Sequence, residues 1–532
     1  MEHTQETAVW QDHQKGLAWQ RSMGFDVNFP LYVRFKEGDQ WPPATRRTRN
    51  LPRPVFNMVE MFIRTKRAAV LDSPLTMSCR PAAESGPDTA LAAQGARDFT
   101  DYARQLWKKL HQDDLNGVLV DDAATEGTGI LHYYWDTAVH GGGAAPFVGE
   151  LRGESIDPLA IVFSDPHIRE IERQRWIILR QRRPLVEVRA MAAAAGMKPE
   201  ECRLLKPDGE TGLYTTVKED DREQRVTVLT RYFRKNGEIW FEKATRTRQL
   251  VPPRPLTPEG SAARMCRYPV VLLPWKLRKG CIFGIGETEC LLPSQKALNY
   301  NMAMMLLSVQ QTGWPKLLLR PGALQQPVTN EPGEMLVDHW SGGGDGVKYL
   351  QAPPFSSLAV GLSEKVLALS RDINGVGQVT TGDTERMDLA ASAIIAMQNQ
   401  ARTPIREIQR RFWRVMEDVG GIWLDFFRCY CTTPRSVATE HGGCVQCRSF
   451  VGADYAGVEY EMLVDVGASS EFSEALSQAT LDKLLDKGFI TVEQYVELSG
   501  TNVVPFRERF LQMRRDAAFA AAASAAPSLP AV

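Results

Sequence analysis

Hydrophobic side chains recur at helical spacing in the middle of the 532-residue chain. Within residues 284–312 they follow steps of four, three and four, which puts them on one face of an α-helix. This apolar face consists of Leu298, Met302, Met305 and Val309. A second helix is predicted over residues 356–373. The two helices flank an excursion, residues 313–355, that is too rich in proline and glycine to be helical.

The pattern next predicts one very long helix over residues 389–427. Its apolar seam, which would pack against another helix, consists of Ile405, Ile408, Phe412 and Val415. Pro404 cannot donate a hydrogen bond to the preceding turn and crowds a carbonyl there, so a kink is expected at this point. The pair Gly420-Gly421 is expected to break the helix a second time.

Residues 1–283 mix helix and strand patterns. Segment 129–136 is dense in β-forming residues and follows a Gly-Thr-Gly turn, which predicts a strand. Asn236-Gly237 stands between two alternating stretches, and this dipeptide is the strongest short-range signal for a β-hairpin. Residues 454–467 have a strand pattern again. The fold class predicted for the chain is therefore α+β.

The C-terminal residues 469–517 are predicted to be helical. Thr491 and Gln494 have the spacing of a capping box at the start of a helix. Gly488 stands where a preceding helix would end. Residues 518–532 consist mainly of alanine, proline and serine, which predicts a flexible tail.

Charge and composition exclude several classes of protein. Lysine and arginine total 63 against 64 for aspartate and glutamate, a formal net charge of −1. A tight nucleic-acid binder carries a basic excess, so this balance argues against a repressor or polymerase, but not against a protein through which DNA slides. Neither a signal peptide nor a membrane span is expected, since no apolar run approaches about 18 residues. The nine cysteines are accordingly expected to be reduced thiols.

Two stretches resemble the portal proteins of tailed bacteriophages. Residues 268–319 contain a hydrophobic strand, the turn Gly-Ile-Gly-Glu and a helix rich in glutamine and asparagine, as in the passage from wing to stem in that family. Residues 373–413 resemble the family's second stem helix, tunnel loop and long kinked helix. Weaker similarity extends over residues 35–498. The order of these elements, and no single motif, carries the resemblance.

The resemblance implies a portal-type fold, and it divides the chain into the parts of such a subunit. These parts are a mixed α/β wing (1–283), a first stem helix (284–312), a small β-containing clip (313–355), a second stem helix (356–373), a tunnel loop (374–386), a long kinked helix with C-terminal wing strands (387–468), a helical crown (469–517) and the tail (518–532).

The same resemblance implies a function. Portal proteins form a ring, here expected to hold twelve copies, at one capsid vertex, and double-stranded DNA is packaged and ejected through its channel. The ring docks the large terminase subunit and then the head-completion or adaptor proteins, and it contacts the major capsid and scaffolding proteins. The chain would assemble in the bacterial cytoplasm and reside in the virion. It would be no enzyme and would need no cofactor.

The tunnel loop, residues 374–386, would line the narrowest part of that channel. Its candidate channel residues are Val376, Gln378, Val379, Thr380, Thr381 and Arg386. The loop is small, polar and glycine-rich, and Arg386 is its one cation. It would therefore offer hydroxyl and amide groups to a moving duplex without gripping the phosphates.

A zinc site is the alternative suggested by a cluster of cysteines. Four thiolates suit tetrahedral zinc, and the candidates are Cys429, Cys431, Cys444 and Cys447. Free thiols are favoured, because Val445-Gln446 lacks glycine or proline and no glycine follows Cys447, unlike many zinc knuckles. With zinc, the chain would be a zinc-dependent nucleic-acid enzyme. A non-ring structural protein of the capsid or baseplate is the third alternative.

Catalytic motifs give an enzyme no specific support. Gly284 and Gly286 lack the third glycine of a dinucleotide fingerprint, so they are expected to turn a strand into the first stem helix. The sequence contains no P-loop, no nucleophile-elbow motif and no HExxH pair.

Overall fold

The computed structural model describes residues 6–73, 75–82, 89–141, 146–208, 224–313, 316–324, 335, 337–350, 357–374, 403–441, 444–466, 481–498 and 513. Helices and antiparallel sheets both contribute to it, which confirms the α+β class.

Helices make up most of the N-terminal part. They are α1 (Ala8–Ser22), α2 (Phe25–Glu37), α3 (Met58–Leu71), α4 (Thr89–Lys109) and α5 (Gln112–Glu126). Helix α1 begins where the Thr7 side chain accepts a hydrogen bond from the backbone N–H of Trp10. Helix α3 begins in the same way at Asn57. Short polar caps in the sequence thus fix where these helices start.

Antiparallel strands build the sheets that follow. They are β1 (Leu75–Pro81), β2 (Thr128–Gly141), β3 (Phe147–Ser155), β4 (Ile161–Phe163), β5 (Trp176–Pro184), β6 (Arg225–Lys235), β7 (Glu238–Ala244), β8 (Gln249–Pro255) and β9 (Val270–Pro274). One sheet has the order β4-β5-β6-β7-β8, and a second has the order β3-β2-β9. Helices α6 (Leu185–Ala194) and α7 (Pro199–Arg203) pack beside the larger sheet.

The two sequence signals for strands in this part are confirmed. Segment 129–136 lies inside β2. Asn236 and Gly237 form the turn between β6 and β7, with φ angles of 54° and 79°. Both residues occupy the left-handed region that a two-residue hairpin of this type requires, which is why the Asn-Gly pair is favoured there.

The middle of the chain contains the predicted helix pair. Helix α8 spans Glu287–Gly313 and helix α9 spans Ser357–Asn374. Between them, β10 (Lys316–Leu319) and β11 (Val347–Leu350) pair antiparallel. The excursion between the two helices therefore contains a β-ribbon, as the sequence interpretation expected of that segment.

Helix α10, Thr403–Tyr430, corrects one expectation about the long helix. It runs through Gly420 and Gly421 without a break. A Cβ atom at Gly420 would lie 2.7 Å from the Met462 side chain, and one at Gly421 would collide with the Arg267 guanidinium. The glycines make room for these side chains and do not end the helix. Pro404 lies at the start of the described part of α10, and residues 387–402 lie outside the described residues, so the kink expected at Pro404 stays a prediction.

The C-terminal strands return to the N-terminal half of the chain. Strands β12 (Arg435–His441) and β13 (Cys444–Phe450) form a hairpin, and β14 (Tyr460–Val466) pairs with β1. The strand predicted over 454–467 begins later, because Gly452–Tyr455 forms a 3₁₀ turn. The capping box at Thr491 is confirmed at the start of helix α11, Val492–Leu498, and Gly488 adopts a left-handed conformation after helical residues 481–486.

The main hydrophobic core surrounds α10. Its buried aromatic side chains pack against rings from both ends of the chain. The Phe427 ring centroid lies 5.2 Å from those of Phe99 on α4 and Phe450 on β13, and Trp423 meets Trp107 edge-on. Helix α10 therefore joins the N-terminal helices to the C-terminal strands.

Candidate functional site

The turn into α8 is built on close backbone packing. A Cβ atom at Gly286 would lie 2.6 Å from the carbonyl oxygen of Thr125, and one at Gly284 would collide with the carbonyl of Gly127. The backbone N–H of Gly284 donates to the Thr128 hydroxyl at 2.8 Å. These glycines are therefore required for contact with the end of α5, and the N–H of Gly284 is taken up by the Thr128 hydroxyl.

A buried charge cluster fixes the first turn of α8. One Glu287 carboxylate oxygen accepts hydrogen bonds from Lys66 Nζ at 2.7 Å and from Trp275 Nε1 at 2.8 Å. Lys276 Nζ lies 3.1 Å from the same oxygen. Burial alone would raise the pKa of Glu287, but the two lysine charges and the hydrogen bonds hold it below its ordinary value. The cluster ties α8 to α3.

A network of side-chain amides holds the next two turns of α8. Gln295 accepts from the backbone N–H of Met58 at 2.9 Å and donates to Asn299 at 2.9 Å. Asn299 donates to Gln40 at 2.6 Å, and Gln40 donates to Asn57 at 3.0 Å. The glutamine and asparagine residues that mark this helix in the sequence therefore anchor it to the segment between α2 and α3.

The second half of α8 has an unusual surface. No charged residue occurs from residue 297 to residue 315. The large apolar side chains that this half exposes are Tyr300, Met304, Leu306 and Val309. Val309, the most exposed of them, keeps 68% of its side-chain surface open. Exposed apolar side chains grouped on one helix are suited to contact with another protein.

Helix α9 extends the same apolar surface. It packs against α8, and Asn301 donates a hydrogen bond to Ser363 across the helix pair. On its other side α9 exposes Leu362, Leu369 and Ile373, with Ile373 80% exposed. We call the exposed apolar side chains of α8 and α9 the assembly surface.

The predicted seam of α10 lies in the core. Ile405 and Phe412 are 1% exposed, and Ile408 and Val415 are 6% exposed. They face α3 and β9, and the Gln409 side chain between them donates to the carbonyl of Ala69 at the end of α3. This part of α10 is therefore a fixed support on which the α8–α9 pair is mounted through α3.

The predicted channel residues of the tunnel loop lie outside the described residues. These are Val376, Gln378, Val379, Thr380, Thr381 and Arg386. The chain enters the loop from α9 and returns into α10. Their role in a channel stays a prediction.

The four cysteines of the alternative zinc set have different surroundings. Cys429 is buried next to Ser261, and Cys431 is buried between Tyr102 and Arg435. Burial raises the pKa of these thiols to about 12 and about 11. Cys447 on β13 is exposed, and the side chain of Cys444 lies outside the described part of the chain. Within the described residues, no group of three or more potential ligands is arranged to hold a metal ion.

Sequence inspection misses a buried hydrogen-bonded chain between the two larger sheets. His132 on β2 contacts Glu154 on β3 through Nδ1 at 2.8 Å, and Tyr232 on β6 through Nε2 at 2.9 Å. Tyr232 is 100 residues away from His132 in sequence, so no local motif could reveal the contact. His132 and Tyr232 are both almost fully buried. We interpret the chain as a tether between sheets, because its central groups have no open approach for a substrate.

A cleft of about 510 Å³ lies between α10 and β9. Arginines surround its apolar floor, namely Arg169, Arg267, Arg411 and Arg414. The same rim carries Glu170, Glu172 and Asp418, which offset most of that charge. The cleft therefore has no strong preference for an anion, and its lining does not form a recognisable catalytic set.

No protein-family model matches the chain, and a search of curated proteins finds no match. Among the residues that the structure describes, no helix has the length and apolar character needed to cross a bilayer.

Proposed function

We propose that this chain is the subunit of a portal ring: a channel at one capsid vertex through which double-stranded DNA is packaged and later ejected. The observation that carries the proposal is the assembly surface of α8 and α9. Exposing apolar side chains to water is unfavourable, so a surface of this kind favours contact with another chain. The exposed apolar surface favours an oligomer over an isolated enzyme.

The arrangement of elements supports a ring in particular. The α8–α9 pair leads to the β10–β11 ribbon, and the first turns of α8 are anchored to a mixed α+β body through Glu287 and the amide network. In the proposed ring these parts correspond to stem, clip and wing. Residues 374–386 would face the channel.

Simple geometry supports twelve copies. Twelve helices spaced roughly 9 to 10 Å apart put their axes on a circle of roughly 34 to 38 Å diameter. Subtracting about 10 Å for helix thickness leaves a bore of roughly 24 to 28 Å. A DNA duplex, about 20 Å wide, passes through this bore with a layer of water, whereas a ring of about eight copies would block it.

The proposed partners follow from this role. The large terminase subunit would dock on the clip during packaging, and head-completion or adaptor proteins would replace it afterwards. The wing and crown would contact the major capsid and scaffolding proteins. The ring would assemble in the host cytoplasm and remain in the virion as a conduit, while its partner ATPase supplies the chemical energy.

Particle size tests the proposal directly. A ring of twelve has a mass of about 714 kDa, twelve times the 59.5 kDa chain. Light scattering of the purified full chain should report this mass, and negative-stain images should contain rings with a central hole. A monomer or dimer at micromolar concentration would contradict the proposal and favour a non-ring structural protein.

A further inference from the structure

The segment between α2 and α3 concentrates positive charge. Four exposed arginines fall within this segment, namely Arg46, Arg47, Arg49 and Arg53. No aspartate or glutamate occurs from residue 40 to residue 59. Within the described part of the chain, none of the four guanidinium groups is paired with a carboxylate. We call residues 42–54 the arginine loop.

The base of the arginine loop is closed by hydrogen bonds. Trp41 Nε1 donates to the carbonyl oxygen of Pro54 at 2.9 Å, and the Arg53 guanidinium donates to that of Pro42 at 3.2 Å. Next to these hydrogen bonds lies the amide network that runs from Gln40 to Asn299 on α8. The loop is therefore held in place at both ends, and its position is fixed relative to the helix.

The backbone at the tip of the loop is also ordered by local contacts. The N–H of Thr48 donates to the carbonyl of Thr45 at 3.1 Å, and the two hydroxyl groups lie 2.9 Å apart. Four prolines, at positions 42, 43, 52 and 54, restrict φ around this turn. Arg46, Arg47 and Arg49 project from this fixed backbone with guanidinium groups that are not locked in place.

The loop lies beside the assembly surface. The Trp41 ring meets the Tyr300 ring edge-on, with centroids 5.0 Å apart. Tyr300 stands at the start of the uncharged half of α8. Every copy in an assembly built on this surface would therefore present its arginines at the same level.

We propose that the arginine loop binds the phosphate backbone of double-stranded DNA without reading its sequence. A duplex carries one negative charge per about 1.7 Å of its axis, so mobile guanidinium groups find phosphates in any register. Arginine forms planar, paired hydrogen bonds to phosphate oxygens. The choice of DNA as the polyanion rests on the proposed function, but the binding can be measured in any state of assembly.

An acidic protein segment is a weaker match to this loop. Binding to a protein surface requires each flexible side chain at the interface to be ordered, and the guanidinium groups of Arg46, Arg47 and Arg49 have no hydrogen-bond or ion-pair partner among the described residues. The loop also contrasts with the 510 Å³ cleft, where carboxylates stand among the arginines. Arginines that have no carboxylate partner among the described residues suit a continuous polyanion, because their guanidinium groups can turn towards whichever phosphate is near.

The test is the salt dependence of DNA binding by the full chain. A labelled random-sequence duplex of about 30 base pairs, long enough for non-specific contacts, would be titrated by fluorescence anisotropy at several salt concentrations. We compare wild type with the triple variant Arg46→Gln, Arg47→Gln and Arg49→Gln. Each lost phosphate contact reduces the magnitude of the slope of log affinity against log salt by about 0.9. The slope of the triple variant should therefore be smaller in magnitude than that of wild type by up to about 2.7. Affinity at low salt should fall at least tenfold.

Two controls make the outcome specific. A matched triple variant removes three exposed arginines elsewhere (Arg175→Gln, Arg203→Gln and Arg264→Gln) and should keep the wild-type slope. Replacing the loop arginines by lysine should also keep most of the wild-type salt slope, because contacts with phosphate depend mainly on the positive charge. Equal slopes for wild type and the loop triple variant would overturn the proposal. It would also be overturned if the loop triple variant lost binding to polyglutamate, titrated in the same way, while its DNA binding stayed intact.

Light scattering on the same samples separates the two proposals. If the loop triple variant still forms the large assembly and its salt slope equals that of wild type, only the arginine loop is wrong. If wild type forms no large assembly, the proposed ring fails, while the DNA slopes still decide the role of the loop.

Discussion

Phe412 lies at the centre of the α10 seam and is 1% exposed. The change Phe412→Ala removes a whole aromatic ring from a packed site, so we expect a loss of about 3 to 5 kcal/mol in the free energy of unfolding. Denaturant unfolding followed by far-UV circular dichroism measures this loss. Val186→Ala is the control, because Val186 is 78% exposed and its truncation should change stability by less than about 0.5 kcal/mol. Similar small effects for both variants would contradict the packing of the seam.

His13 on α1 gives a pH-dependent prediction. Its ring is buried beside Trp10, and neither ring nitrogen has a hydrogen-bond partner. Burial, with the nearby charges of Arg180 and Arg21, lowers the pKa of His13 from 6.5 to about 4. The unfolded chain takes up this proton near pH 6.5 and the folded chain does so only near pH 4. Folding stability due to this group is therefore complete above pH 6.5 and decreases as the pH falls towards 4.

The measurement compares unfolding at pH 7 and pH 4.5. Between pH 7 and pH 4.5, the free energy of unfolding of wild type should fall by roughly 2 to 3 kcal/mol more than that of a His13→Phe variant, since one pKa unit corresponds to about 1.4 kcal/mol. A His140→Gln variant, altered at an exposed histidine, should follow wild type. An unchanged pH dependence in His13→Phe would show that His13 is not the responsible group.

Sequence reasoning at the residue scale succeeds where a pattern is periodic. The spacing of Ile405, Ile408, Phe412 and Val415 indicates a single helix face, and these side chains are indeed buried. It fails where partners are distant: Lys66 and Glu287 are 221 residues apart, and only the folded chain brings them together. The same holds for His132 and Tyr232.

At the scale of elements, the assembly surface leads to a prediction about Val309. This side chain is 68% exposed on the uncharged half of α8, so Val309→Glu should leave the fold of the chain intact. In an assembly, the new carboxylate would be desolvated against an apolar neighbour, which is strongly unfavourable. We expect the large assembly to dissociate while far-UV circular dichroism stays unchanged.

The matched control is Val186→Glu on α6, which introduces the same charge at another exposed valine. It should keep the assembly, because α6 lies beside the large sheet and away from α8 and α9. An intact assembly in Val309→Glu would remove α8 from the subunit interface.

The elements themselves were largely predictable. Helices α8 and α9 occupy the segments where the apolar spacing predicts them, and α8 begins three residues after the predicted start. The break expected at the glycine pair in α10 is wrong, because the helix continues through both residues. Local propensity suggests one, but tertiary packing of Arg267 and Met462 over the two glycines overrides it.

At the scale of the whole molecule, a single chain cannot reveal its own symmetry. The sequence predicts the order of the parts, and the structure describes an exposed apolar surface on α8 and α9. The number of copies depends on the angle between neighbouring subunits, which no contact within one chain determines. The ring therefore has to be tested on the assembly itself.

The last prediction concerns the channel of the proposed ring. Residues 374–386 carry one cation, Arg386, and their other side chains are mostly small or polar. Changing Gln378 and Thr380 to lysine adds two positive charges per copy, or about 24 around a ring of twelve, and each phosphate contact adds about 0.9 to the salt slope of DNA binding. A gripped duplex resists translocation, so packaging should slow at low salt and partly recover at high salt.

The control for this experiment is a double lysine variant at exposed sites outside the loop, Ala190→Lys and Ala194→Lys, which adds the same charge to helix α6. It should package DNA at the wild-type rate, and both variants should still form rings, since the loop would face the bore and not a neighbouring subunit's core. Packaging would be measured as DNA protected from nuclease in an assembly reaction with capsid and terminase. Equal rates for wild type and the loop variant across the salt range would exclude residues 374–386 from the path of the DNA.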